Sequence, residues 1–381
     1  MAQNYSADAK VYSTANIGQL SILDMLDYFE QKGAMRVSDL HIKIGAPPAY
    51  RIDGDLVKLR GPKLDPETAK QLIWPLLTDE NLHKFDNLWS VDCSYRHRSL
   101  QFRINVFNEN DGPCAAIRAL SLDIPKVEDI GFANNVWQDI VNSKQGLVLI
   151  TGITGAGKST TIASLIDRIS EKRACRVITV EDPIEYIYEQ KYSIISQREI
   201  GKDVKSFIDG LRSMLREDPD IIFVGEMRDP ETISMTLTAA ETGHLVFSTL
   251  HTRDAVGSIT RVLDYFPTGR QNEVRNQLSL GLRYIISQKL VPKKDQTGRI
   301  VAMEILNNNN YACANLIRTG KVEQIYSQLQ TKTRDGHDEK MITMESHLAR
   351  LVREDKIDLL EAQKWANNVK SFVDAMKRSG Q

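Results

Sequence analysis

The stretch "TGITGAGKSTT" sets Gly152, Gly157, Lys158 and Ser159 in the pattern G-x-x-x-x-G-K-[ST]. It follows the apolar run "GLVLI" and opens the helix-like "KSTTIASLIDRI", the strand-loop-helix context the pattern needs. Gly152, Thr154, Gly155, Ala156, Gly157, Lys158, Ser159 and Thr160 therefore form a candidate phosphate cradle, with backbone N–H groups and a helix N-terminus facing a β-phosphate. Lys158 would reach the β and γ oxygens, and the Ser159 hydroxyl would serve Mg²⁺. ATP and Mg²⁺ are the expected ligands.

Such a cradle needs acids on neighbouring strand tips. "RVITVEDPIEY" supplies Glu181, Asp182 and Glu185 after one apolar run, and "DPDIIFVGEMRDPE" supplies Glu226 after another, with Asp220 at its N-terminal end. Ligands of open α/β sheets lie at the carboxyl ends of the strands, so Glu226 is preferred over Asp220. Acids so gathered favour ATP hydrolysis. "AAETGHLVFSTLHTRD" places His244 and His251 at either end of a third run. Their spacing fits metal ligands, an acid/base pair or the polar ends of a buried strand. No cysteine or third histidine clusters nearby, which removes the metal reading, and Glu185 and Glu226 suit water activation better.

The elements that must position these residues follow from the patterning. The 381 residues allow two domains, and 26% charged with 41% hydrophobic residues is ordinary for a globular protein. No apolar stretch approaches the roughly 20 residues of a membrane span, and residues 1–19 read as a flexible polar lead-in without a signal-peptide core. A cytoplasmic protein without direct membrane insertion is expected. The four scattered cysteines support neither a disulfide framework nor a zinc site, and a net charge of −1 argues against a nucleic-acid partner.

Residues 20–120 read as a small α+β domain. "LSILDMLDYFEQKGA" is a helix stopped by Gly33, "DLHIKIG" alternates as a strand, and Asp53-Gly54 marks a hairpin in "AYRIDGDLVKL". "LQFRINVFNENDGPCAAIRAL" is a second antiparallel pair with Phe102, Ile104 and Val106 on one face. A linker falls at 121–132. Across 133–381, "GLVLIT", "RVITV", "DIIFVGE" and "HLVFSTL" predict four parallel strands, Asp229 and Pro230 open a helix, and Thr242-Gly243 closes it. Beyond about residue 300 the strands are expected to give out, leaving a helical tail.

"GITGAGKS", "EDPIEY", "LREDPDIIFVGEMRDPET" and "TGHLVFSTLHT" resemble, in order and at close spacing, the Walker A, Asp, Walker B and His boxes of the secretion-superfamily hexameric ATPases, within it the PilT-like retraction motors of type IV pili. The resemblance covers about residues 20–370, including "SDLHIKIGAPPAYRIDG". It implies a RecA-like P-loop ATPase domain, a smaller N-terminal α+β domain of PAS-like type and a C-terminal helical tail. It also implies Glu185 and Glu226 as the acids that polarise water and hold Mg²⁺, and His251 and His244 as sensors of the γ-phosphate region. On this view His251, at the ligand end, lies near the phosphate, whereas His244 acts by hydrogen bonding to a neighbouring element.

Arg103 and Arg118 match family arginines that reach nucleotide across a subunit boundary; their bland alternative is salt bridging on an exposed sheet face. A homo-hexamer beneath an inner-membrane pilus platform protein, with twitching motility as its output, completes what the resemblance implies. One departure stands out: the family's "AIRNLIR" reads "ACANLIR" here, with Ala314 for the first arginine and Arg318 retained. An accessory PilU-like paralogue that regulates a partner ATPase is therefore the alternative. Pilus-extension and type II secretion ATPases carry a longer N-terminal region and a tetracysteine insert, which this chain lacks.

Overall fold

A computed structural model describes residues 5–16, 18–32, 36–52, 55–98, 100–120, 124–309, 311–334 and 340–377. The chain divides into two compact units, one running to Asp123 and one from Ile124.

The first unit is built on six antiparallel strands in the order Asp55–Lys58, Ala49–Ile52, Val37–Ile42, Gly112–Leu120, Leu100–Glu109, Ser90–His97. Period-two patterning decides its faces: Phe102, Ile104 and Val106 are fully buried while Arg103 between them is exposed. Met25, Leu26 and Phe29 of the helix Ile22–Lys32 cover that face, with Phe29 edge-on to Phe102 at 5.2 Å between ring centroids. Gly33 and the Asp53-Gly54 turn lie outside the described residues. The lead-in differs from expectation. Tyr12–Thr14 pairs with Gly18–Leu20, because Tyr12 buries its ring and donates its hydroxyl to Pro62 O at 2.9 Å.

The second unit carries a seven-stranded sheet in the order Ile194–Glu199, Arg176–Glu181, Ile221–Val224, Leu245–Leu250, Gly146–Thr151, Leu282–Pro292, Arg299–Asn307. The four strands expected from sequence are contiguous within it and parallel. Strands give out at Asn307, a few residues beyond the expected 300, but two follow the four expected along the chain: Leu282–Pro292 joins Gly146–Thr151 in parallel, and Arg299–Asn307 returns antiparallel to form the edge. These two escape periodicity because helices cover both their faces, so "LRYIISQKLVP" and "RIVAMEILN" do not alternate cleanly.

Alternate residues of each central strand enter opposite cores. Leu147, Leu149, Ile178, Val180, Ile222 and Val224 pack beneath the helices Phe207–Met214, Pro230–Glu241 and Ala255–Asp264. Val148, Ile150, Val177, Ile221 and Phe223 face the helices Val136–Asn142 and Lys158–Lys172. Truncating one of these to alanine would cost about 2–5 kcal/mol. Of the expected linker, residues 121–123 lie outside the described residues, whereas Val127 is buried against the second core. The helical tail packs as expected, with Met344, Leu348 and Phe372 covering Val291 and Ala302 of the edge strands.

Candidate active site

The cradle sits where Gly146–Thr151 ends and the helix Lys158–Lys172 begins. Gly157 caps that helix in a left-handed conformation, φ 85°, with no side-chain cap, so its first N–H groups are open to an anion. Gly152, at φ 149°, is required for a second reason: a Cβ there would lie 2.5 Å from Gln288 O. Lys158 folds over the loop and donates to Gly152 O at 2.9 Å and Ile153 O at 3.2 Å. Burial lowers its pKa, while the nearby charges of Glu226 and Glu185 pull it back up. Ammonium and both acids therefore share one electrostatic neighbourhood.

Glu226 follows the strand Ile221–Val224, and Met227 N donates to Thr249 O, which ties this turn to the neighbouring strand end. The Glu226 carboxylate meets Arg228 at 2.8 Å and His251 Nε2 at 3.3 Å. The hydrogen bond to Glu226 holds the Arg228 pKa above its usual value. Glu185 lies on the segment after Arg176–Glu181 and forms no salt bridge among the described residues, though Lys158 feels its charge. Behind it, burial pushes Glu181 up to about 7, against hydrogen bonds from Thr179 at 2.7 Å and Gln197 at 3.3 Å.

The two histidines part company. His251 follows Leu245–Leu250 at the ligand end, beside Glu226. His244 stands at the opposite end, its Nδ1 2.9 Å from Ala239 O in the last turn of the helix Pro230–Glu241. That helix starts as its sequence implies, with Asp229 accepting from Thr232 N at 2.8 Å and Pro230 in the first turn. Arg103 and Arg118 are in the other unit, as register partners on adjacent strands. Arg118 bonds the buried Asp39 at 2.8 Å, whereas Arg103 lies 4.0 Å from Asp92, its one salt-bridge partner among the described residues.

Several residues that shape this site carry no sequence motif. Gln288 donates to Ala156 O at 2.6 Å and accepts from Thr161 at 3.0 Å, bracing the cradle from a strand that sequence patterning did not disclose. Thr160 Oγ1 and Tyr186 OH are 2.8 Å apart, linking the cradle helix to the segment that carries Glu185. Among the described residues no three His, Cys, Asp or Glu side chains gather to hold a metal by themselves. Ser159 and Glu226 suit Mg²⁺ nonetheless, because that ion ordinarily takes few protein ligands and completes its shell with water and phosphate.

The family described as "Type II/IV secretion system protein" matches residues 32–377. The chain belongs to that family. It is 40% identical to the type IV pilus retraction ATPase PilT of Pseudomonas aeruginosa, over 93% of this chain and 100% of that protein. It is 32% identical to the type IV pilus ATPase PilU of the same organism, over 88% of this chain and 87% of that one. Among solved structures, the pilus retraction motor PilT with bound ADP superposes with a TM-score of 0.83 at 42% identity, covering 93% of this chain and 99% of that chain. The PilT-like resemblance carried by the four boxes thus extends along nearly the whole chain, and with it the α/β fold, the N-terminal unit and the helical tail.

Proposed function

We propose that this protein is an ATP-hydrolysing motor that powers type IV pilus retraction, assembled as a homo-hexamer beneath an inner-membrane platform protein. One observation carries the hydrolytic reading: Glu226, His251 and Lys158 come together at the carboxyl ends of adjacent parallel strands, around an uncapped helix N-terminus. Similarity to a retraction ATPase across that protein's full length supports the output. Among the described residues no helix is long and apolar enough to cross a membrane, so the platform would be reached by docking at the inner face.

The loop Gly152 to Thr160 would bind the phosphates of ATP, Lys158 would leave its carbonyl partners for the β and γ oxygens, and Ser159 with Glu226 would hold Mg²⁺. When bound, Mg²⁺ neutralises charge on the phosphate oxygens. Glu226 is already held at ion-pair distance by Arg228 and lies beside His251, which suits a carboxylate fixed for Mg²⁺. Glu185 forms no salt bridge among the described residues and would be the base for the attacking water. His251 would donate toward the γ-phosphate, and Arg103 and Arg118 of a neighbouring subunit would stabilise charge in transfer. Nucleotide contacts that favour one orientation of the two units over another would convert turnover into movement.

Lys158→Ala is expected to abolish turnover, and Glu226→Gln to bind ATP without releasing phosphate. Normal turnover in both variants would remove the motor reading. Ala314 favours a second reading. It lies on the helix Tyr311–Arg318, where Arg318 turns back to Asn315 at 2.9 Å, and it deprives that surface of one arginine. An accessory subunit would bind ATP yet fail to retract pili alone. Pilus retraction measured in a strain whose only retraction-type ATPase is this chain separates the two.

A further inference from the structure

Glu304 lies in the edge strand Arg299–Asn307, far in sequence from every box, and is 1% exposed. Its Oε1 accepts from Ala255 N at 2.8 Å. Ala255 is the first residue of the helix entered directly from the loop His251–Asp254. Burial pushes the Glu304 carboxyl up to about 8, against the N–H groups of Ala255 and of Met344, the first residue of the tail helix Met344–Arg353, which favour its charged form; Oε2 completes no hydrogen bond among the described residues. One carboxyl thus stands as an acceptor before the open N–H groups of two helix starts.

The tail is fastened at the same place by two more charged side chains. Glu345 is 1% exposed and accepts from Asn368 N at 2.9 Å and Tyr326 OH at 3.3 Å. Lys289, next to the cradle's brace Gln288, donates to Trp365 O and Asn367 Oδ1, each at 2.6 Å. Lys289 feels the charges of Glu345, Glu304, Arg253 and Asp254, so the cluster is continuous from the tail to the loop that carries His251.

We propose that Glu304 is a positioning residue for hydrolysis: its buried carboxyl fastens the helix after His251–Asp254 and faces the start of the tail helix, so the seating of the tail sets the placement of His251. This rests on the reading of His251 given above. Truncating a group that positions another from a distance can cost as much as removing a direct contact, because small misplacements weaken transition-state contacts steeply. A surface that pulls on the C-terminal helices would then control turnover without touching nucleotide.

The test uses Glu304→Leu in the full chain, which removes the acceptor of Ala255 N that a glutamine would keep. Hydrogen exchange should speed up by about tenfold at 252–258 and at 344–349 while 158–170 stays unchanged. The kcat for ATP should fall about tenfold with KM within about twofold of the parent, and Glu304→Leu should add no further loss in a His251→Ala background. Exchange unchanged at either helix start, a uniform loosening that includes 158–170, or a full additional loss on His251→Ala would each overturn the proposal. If His251→Ala alone leaves kcat intact, the role of His251 fails, and the exchange pattern still decides whether Glu304 ties the two helices. Lys289→Met covers the case in which Glu304→Leu does not fold. Faster exchange at 364–372 should then be accompanied by faster exchange at 252–258, and its confinement to the tail would overturn the coupling.

Discussion

Replacing His251 and His244 separately by alanine should give losses different in kind. His251 Nε2 lies 3.3 Å from Glu226, and its side chain is 42% exposed. A donor aimed at developing charge is worth about 10²–10³ in kcat when water is excluded, so at this exposure the lower end, about 10², is expected. His244 spends its Nδ1 on Ala239 O at 2.9 Å, at the end of the strand away from the cradle. A half-buried hydrogen bond of this type contributes about 0.5–1.5 kcal/mol, or a melting shift of about 2–5 °C in a unit of this size. His251→Ala should therefore lose about 10² in kcat with an unchanged melting temperature. His244→Ala should melt a few degrees lower and keep kcat within about threefold. Phosphate release at saturating ATP, paired with thermal melts, reads both. Equal kcat losses, or a His244→Ala variant crippled in turnover yet fully stable, would refute the division of roles.

Gly152→Ala would drive a Cβ to 2.5 Å from Gln288 O and 2.9 Å from Ala156 Cβ, so urea unfolding should show a loss of about 2–5 kcal/mol. Gly155→Ala, at φ 77° with open space around it, should lose only about 1–2 kcal/mol. Glu181, with its pKa pushed up to about 7 from an ordinary 4.5, keeps a proton in the folded state that the unfolded chain has already shed. Stability from this group is thus fully present below about pH 4.5 and is lost as pH rises through about 7, so Glu181→Gln should gain melting temperature over the parent between pH 5 and 8. A constant difference across that range would contradict the burial argument. Arg118→Ala should destabilise the N-terminal unit by stripping buried Asp39 of its closest cation, leaving the Ser38 hydroxyl at 2.7 Å and Arg51 at 3.9 Å, whereas Arg103→Ala should leave its unfolding midpoint unchanged and lower ATP turnover.

The local code was legible wherever the backbone has one dominant need. Gly157 at a left-handed helix start, the Asp229-Pro230 opening, the Thr242-Gly243 close and the alternation through Phe102, Ile104 and Val106 all follow from short-range sterics and period, and the structure reproduces them. Order along the chain also placed Glu226 and His251 at strand ends, because parallel strands joined by helices must all present their carboxyl ends together.

What the residues did not announce are pairings between distant segments. "LRYIISQKLVP" and "RIVAMEILN" become strands because the sheet edge and the tail helices bury both their faces. Only that burial brings Gln288 under Ala156 O and Glu304 to Ala255 N. Tyr12 is held in place by a carbonyl fifty residues away, at Pro62, which no window on the lead-in could disclose. The phosphate chemistry is legible in the chain, since a cradle needs few residues in fixed local order. Packing settles which acid lies within ion-pair distance of Arg228, which histidine stands at the carboxyl ends of the parallel strands and which buried carboxyl meets Ala255 N, because those depend on distances across the sheet that chain order does not encode.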